Sequence, residues 1–162
     1  MKEKIRYGFI GFGRFSELTM SPAISESPNS ELVAIQKRSV EAAKEKAQAL
    51  NIKAAYGSVN ELVSSSEIDA VYIASPTSSH SEDVITAARA GKHILVEKPM
   101  AMNAAEAEKM VNVCKETNVK LMIAHMARFS PANLRLRELI KEGAVGKLTY
   151  VKVEYFYDVR QS

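Results

Sequence analysis

The side chains with the clearest chemical potential fall into four short stretches. The first is Gly11-Phe12-Gly13-Arg14-Phe15-Ser16, directly after the apolar run Ile5–Ile10. A glycine at the first position allows a tight turn. A second glycine lets a phosphate approach the backbone, and a small third residue, here Ser16, lets a helix pack on a strand. The second stretch is Gln36-Lys37-Arg38-Ser39, after the apolar run that starts at Leu32. Sites for NAD usually place an acid there to hold ribose hydroxyls. Here two cations, Lys37 and Arg38, with the Ser39 hydroxyl, suit a 2′-phosphate, which points to NADP over NAD. The third stretch is Ser75-Pro76-Thr77-Ser78-Ser79-His80, and the fourth is Glu97-Lys98-Pro99. Both leave the ends of apolar runs. A lysine in such a place can polarise or protonate an oxygen, and burial or a nearby cation would lower its proton affinity toward that of a base.

These stretches must be held by a frame, and the rest of the sequence describes one. Apolar runs at Ile5–Ile10, Leu32–Lys37, Lys53–Tyr56, Asp69–Ala74, His93–Val96 and Lys120–Ala124 read as strands. Helical patterns separate them. One starts near Gly13 and stops before Pro28, and another covers Ser39–Leu50. Ser58 with Glu61, Ser79 with Glu82 and Asn103 with Glu106 read as helix-opening caps, and Gly91 as a helix stop. Met110, Val111 and Cys114 share a helix face with Ala107, so Cys114 reads as core. Strand–helix alternation with near-continuous apolar strands predicts an α/β fold, a doubly wound parallel Rossmann sheet. Ligands bind such sheets at the carboxyl ends of the strands, where all four stretches emerge. A further helix, Pro131–Glu142, is followed by an alternating run, Leu148–Tyr157, which reads as a strand with one open face.

Composition narrows the function. The 162 residues are 46% hydrophobic and 25% charged, with a formal net charge of +3. The cations are interleaved with acids, so no nucleic-acid footprint appears. No apolar run reaches the ~20 residues of a membrane span. One cysteine excludes an intramolecular disulfide framework, and cytoplasmic residence is the default expectation. No Cys/His cluster has metal-ligand spacing, so no metal is expected. His93 reads as structural. His80 reads as a cofactor neighbour or a plain helix-start residue, and His125 stands on the ligand side.

Taken in order, the motifs resemble the Gfo/Idh/MocA oxidoreductases. The carriers are Gly-x-Gly after the first strand, Ser75-Pro76-Thr77 with His80, Glu97-Lys98-Pro99, and Ala124-His125-Met126-Ala127-Arg128-Phe129-Ser130-Pro131. The resemblance runs over essentially all of the chain. It implies an NADP- or NAD-binding Rossmann domain and reversible hydride transfer between nicotinamide and a carbinol carbon of a sugar, polyol or related small molecule. It implies that Gly11, Phe12, Gly13, Arg14 and Phe15 cradle the pyrophosphate, and that Arg38 and Ser39 face the adenosine. Ser75, Pro76, Thr77 and His80 would line the nicotinamide half. Glu97 and Lys98 would reach the nicotinamide ribose and the substrate hydroxyl, with Lys98 polarising the reacting oxygen. Arg128 would approach the cofactor from the far side.

Two departures stand out. Met126 occupies a place where the family often has Asn. The chain is also about half the family's usual length, in keeping with a second domain of ordinary size beyond the first. The expected organisation is therefore a Rossmann domain at residues 1–124, with residues 125–162 the first helix and strand of an incomplete α+β substrate and oligomerisation domain. Such a chain should bind nucleotide with little turnover. The alternative is a non-catalytic nucleotide-binding or regulatory module. The tyrosine-rich run 148–157, left as an unpaired edge, would favour self-association into a homo-oligomer, or disorder of its end.

Overall fold

The structure is a computed structural model that describes residues 4–154 and 156. Six strands, β1 (Ile5–Ile10), β2 (Ser30–Gln36), β3 (Ala54–Tyr56), β4 (Ala70–Ile73), β5 (His93–Val96) and β6 (Leu121–Ile123), form one sheet in the order β3-β2-β1-β4-β5-β6. Every pairing is parallel. The connections wind toward opposite edges of the sheet from β1 and from β4, which leaves a crevice above the carboxyl ends of these two strands.

Right-handed crossovers fix which helix covers which face. The segment after β1, ending in α1 (Ser21–Glu26), and α2 (Val40–Ala49) both link strands on the β3 side. They bury Ile24 and Ala47 with Phe9, Phe12, Ile35 and Tyr72. The helices α3 (Val59–Val63), α4 (Thr77–Arg89) and α5 (Ala104–Glu116) cover the other face, with Leu62, Val84, Ala87, Met110 and Cys114 in its core. The four residues of β4 are buried throughout, which accounts for their unbroken apolar sequence.

Local signals set most helix ends. Ser58 and Glu61 form a reciprocal capping box at α3, and the Asn103 side chain caps α5. Gly91 has φ +74°, the left-handed conformation that stops α4. One expectation is corrected. Helix α4 begins at Thr77 after Pro76 and has no side-chain cap, so Ser79 and Glu82 lie inside it. Proline supplies the required φ without a donor to satisfy, so the start moves to it. The first helix is helical from Arg14, one residue past Gly13. It widens into a π-type turn over Ser16–Met20, where the Ser21 N–H reaches the Ser16 carbonyl.

The chain divides into two compact units, Met1–Ala124 and His125–Ser162. In the second, a 3-10 turn, Met126–Phe129, precedes α6 (Pro131–Lys141). Ser130 caps α6 by accepting from the Asn133 N–H. The expected strand 148–157 does not form among the described residues. Leu148 to Glu154 and Phe156 carry no ladder, and Tyr155 and Tyr157 lie outside the described residues. A strand needs a neighbour to accept its amide bonds, and alternation alone supplies none. No helix among the described residues is long and apolar enough to cross a membrane. No group of three or more His, Cys, Asp or Glu among them could hold a metal ion.

Candidate functional site

The carboxyl ends of β1, β2 and β4 enclose a cleft of about 600 Å³, lined by Gly11, Phe12, Gly13, Lys37, Arg38, Ser39, Ser75, Pro76 and Asp83 among others. Beyond β4, a smaller cavity of about 190 Å³ is lined by Phe15, Ser75, Thr77, His80, Glu97 and Lys98. Ser75 belongs to both, so one groove runs from the end of β2 to the end of β5. A third cleft of about 560 Å³ lies at the opposite, amino end of the strands, beside Asp69, His93 and Lys120, and holds none of the motif residues.

The two loop glycines answer different needs. Gly11 has φ +74°, and a Cβ there would stand 2.6 Å from the Ser75 nitrogen. The turn and the closeness of the β4 loop therefore exclude any side chain. At Gly13 a Cβ would meet only the Gly11 carbonyl, at 3.9 Å. Packing within the protein leaves that position open. The missing side chain instead clears the approach to the first helical turn, whose amides from Gly13 to Ser16 lack intrahelical acceptors. That is the space a pyrophosphate needs, and the helix end carries the matching partial positive charge. The residues present thus fit a dinucleotide.

Gln36 completes the loop from below. Its Oε1 accepts from the Gly11 N–H at 3.1 Å, its Nε2 donates to the Gly57 carbonyl, and its own carbonyl accepts from the Phe12 N–H at 2.9 Å. Phe12 therefore turns its ring into the core and gives its amide to β2, rather than offering either to the groove. Lys37 also departs from its expected role. Its Nζ donates to the Phe12 carbonyl at 3.0 Å, so the ammonium braces the glycine loop instead of standing ready for a 2′-phosphate. Arg38 and Ser39 remain exposed at that edge. Ser39 caps α2 by accepting from the Ala42 N–H, and its hydroxyl donates to Glu41 at 2.9 Å.

At the other end, Glu97 is 7% exposed. Its Oε1 accepts from the Tyr72 hydroxyl at 2.7 Å and its Oε2 from the Lys98 N–H at 3.1 Å. Burial and the Glu97 carboxylate push the Tyr72 hydroxyl far above its ordinary range. Lys98 is exposed, at the mouth of the smaller cavity, and begins a cis Lys98–Pro99 peptide. Ser75 Oγ donates to Asp83 at 2.5 Å. Burial raises the Asp83 carboxyl, while the Ser75 hydrogen bond pulls it down, Glu82 raises it and His80 lowers it. His80 is 1% exposed, with its ring between two main-chain carbonyls. Arg14 and Phe15 are exposed at the head of the first helix. Arg128 lies in the second unit, on the exposed 3-10 turn.

Sequence reasoning gave Gln36 no role and passed over Asp83 and Tyr72. Gln36 was detectable, since it ends the second strand where an acid was sought. Asp83 and Tyr72 sit inside a helix and an apolar strand, with nothing local to single them out.

A parallel sheet in this strand order, with a glycine-cleared helix end at its switch point, defines a Rossmann-type α/β domain. Residues 5–125 match the family described as an oxidoreductase family with an NAD-binding Rossmann fold, and the chain belongs to this Gfo/Idh/MocA oxidoreductase family. The chain is 36% identical over 157 residues to the mouse trans-1,2-dihydrobenzene-1,2-diol dehydrogenase, covering 96% of this chain and 47% of the relative. An aldose-aldose oxidoreductase from Caulobacter crescentus, solved with glycerol, superposes with a TM-score of 0.82 at 32% identity, over 89% of this chain and 44% of that one. KijD10, a 3-ketoreductase from Actinomadura kijaniata solved with TDP-benzene and NADP, gives 0.78 at 30% identity, over 87% and 44%. The chain spans about half the length of the curated relatives it matches.

Proposed function

We propose that this chain is the cofactor-binding part of an NADP-dependent oxidoreductase that moves hydride between nicotinamide and a carbinol carbon of a sugar, polyol or related small molecule. The observation that carries the reading is the groove itself. It begins at a helix end cleared by Gly13 and finishes at an exposed lysine, Lys98, with no acid at the end of β2. The amides of Gly13, Arg14 and Phe15 hold the pyrophosphate in this reading. Arg38 and Ser39 take the adenosine side, and the Arg38 guanidinium, with no carboxylate at the carboxyl end of β2 to oppose it, favours the 2′-phosphate.

Bound at the far end, the nicotinamide supplies the hydride. The protein's own part is positional and protonic. Ser75, Pro76, Thr77 and Glu97 shape the nicotinamide pocket, and the Tyr72 hydrogen bond holds Glu97 still. Lys98 Nζ, facing the cavity mouth, donates to the substrate oxygen as a carbonyl is reduced and takes that proton back in the reverse direction. The relatives act on diols and aldoses by their names, which supports a polyhydroxylated substrate.

The test is Lys98→Ala in a version of the protein carrying a full substrate domain. NADPH affinity within a few-fold of the parent, with turnover lost, supports the assignment. A large loss of affinity would instead make Lys98 a cofactor-binding residue. The 162-residue chain itself is expected to bind NADPH and turn over poorly, because positioning accounts for much of an enzyme's rate and Lys98 is solvent-exposed.

A further inference from the structure

His80 has a hydrogen-bonding arrangement that a neutral imidazole cannot satisfy. Its Nδ1 lies 3.0 Å from the Pro99 carbonyl oxygen and its Nε2 lies 2.9 Å from the Ser75 carbonyl oxygen. Carbonyl oxygens only accept. A neutral ring has one N–H and one bare lone pair, so one of the two contacts would set lone pair against lone pair. The residue is 1% exposed, which leaves the ring no solvent to turn toward. Only the imidazolium donates at both ends.

His93 makes the opposite demand in the same molecule. Its Nδ1 accepts from the Lys120 N–H at 3.1 Å, which requires a bare nitrogen and hence a neutral ring.

We propose that His80 is held as a buried imidazolium that straps the turn after β4 to the turn after β5, and so acts as a positioning residue for Lys98. The strap joins Ser75, on the side of the large cleft, to Pro99, the residue after Lys98. The charges around it are consistent with a cation. Asp83, three residues further along α4, is 8% exposed and brings a buried carboxyl to the same helix. Glu97 shares the smaller cavity with it. Lys98, in that cavity, and the amino end of α4 oppose a cation, and Glu82 adds a further negative charge near Asp83. Lys98 is exposed, whereas Asp83 and Glu97 are both buried, so the attractive pair is the less screened.

The role in positioning Lys98 rests on the proposed function, but the charge state does not. The test is therefore made on the 162-residue chain without any nucleotide. Long-range proton–nitrogen correlation spectra of the three histidine rings are recorded at pH 7.5, with each ring identified by its own His→Gln variant. If His80→Gln does not fold, the other two variants identify its signals by elimination. The expected result is two protonated nitrogens for His80 beside one protonated and one bare nitrogen for His93. A bare nitrogen on His80 at that pH overturns the proposal.

A second readout separates positioning from packing. As pH is raised until His80 loses its second proton, the Lys98 and Met100 backbone amides should lose order in nitrogen relaxation measurements, while amides in β2 do not. Unchanged order at Lys98 and Met100 through that deprotonation overturns the strap. Failure of NADPH to bind would overturn the proposed function and leave both of these readouts as they are.

Discussion

Tyr72 and Glu97 meet between neighbouring strands, with the phenol of a fully buried tyrosine donating to a carboxylate that is itself 7% exposed. The tyrosine comes from the middle of β4, and the glutamate is the first residue after β5. A carboxylate placed so deep needs donors, and Tyr72 and the Lys98 N–H supply them. The pair thereby fixes the start of the Lys98 turn from inside the sheet. Replacing Tyr72 with Phe should cost ~1.5–3 kcal/mol, the range for losing a buried hydrogen bond to a charged group. Denaturant unfolding checks it. Tyr72→Phe combined with Glu97→Gln should cost less than the sum of the single changes, since the two residues share one bond.

Gly11 and Gly13 should separate stability from binding. Gly11→Ala forces a left-handed conformation and a Cβ against the β4 loop, and should cost at least ~2 kcal/mol of stability. Gly13→Ala should stay within ~1 kcal/mol of the parent, because nothing in the protein fills that space. It should nevertheless weaken NADPH binding by about tenfold or more, the effect of roughly 1.4 kcal/mol at a crowded phosphate contact. Equal binding by Gly13→Ala would place the pyrophosphate elsewhere. Unfolding curves and cofactor titration on the two variants supply the comparison.

Arg38 should carry the cofactor preference. Arg38→Ala should lose about 10–100-fold in NADPH affinity, the range of a charge-assisted hydrogen bond, and leave NADH almost unchanged. A uniform loss for both cofactors would assign Arg38 to the adenine instead. Lys37→Ala should behave differently. Its ammonium holds the Phe12 carbonyl, so both cofactors should weaken together through the loosened loop.

The acid limb of stability should depend on Asp69. Side-chain hydrogen bonds from Arg6 hold its carboxyl below the usual range, with Arg6 Nε at 3.0 Å and Nη2 at 2.7 Å. A depressed carboxyl stabilises the fold above its unfolded value, about 3.9, and that contribution fades as pH falls through the folded value. The denaturation midpoint of the parent should therefore fall more steeply below about pH 4 than that of Asp69→Asn. Parallel curves for the two proteins would remove Asp69 from the account.

The sheet was legible because its signals are local. Each strand is a short apolar run, and the order of connections leaves right-handed winding few alternatives. Glu97-Lys98-Pro99 and Gly11-x-Gly13 could be placed at strand ends for the same reason. What the sequence concealed depends on partners far along the chain. The direction of the Lys37 ammonium is set by the Phe12 carbonyl, 25 residues away, and one of the two demands on His80 comes from Pro99, 19 residues away. Among its described residues the run 148–157 forms no strand for a related reason, since alternation describes a face and not a neighbour to bond with. The start of α4 was misplaced by two competing local rules, a serine cap and a proline, of which the proline prevailed.

The most direct test of the cofactor assignment is equilibrium titration of the 162-residue chain with NADPH and with NADH, read by the emission of the reduced nicotinamide. The chain contains no tryptophan, so the protein background is low. Saturable binding of both, with NADPH about tenfold tighter or more, is the expected result, a difference of roughly 1.4 kcal/mol. No binding of either nucleotide, or tighter binding of NADH, would contradict it.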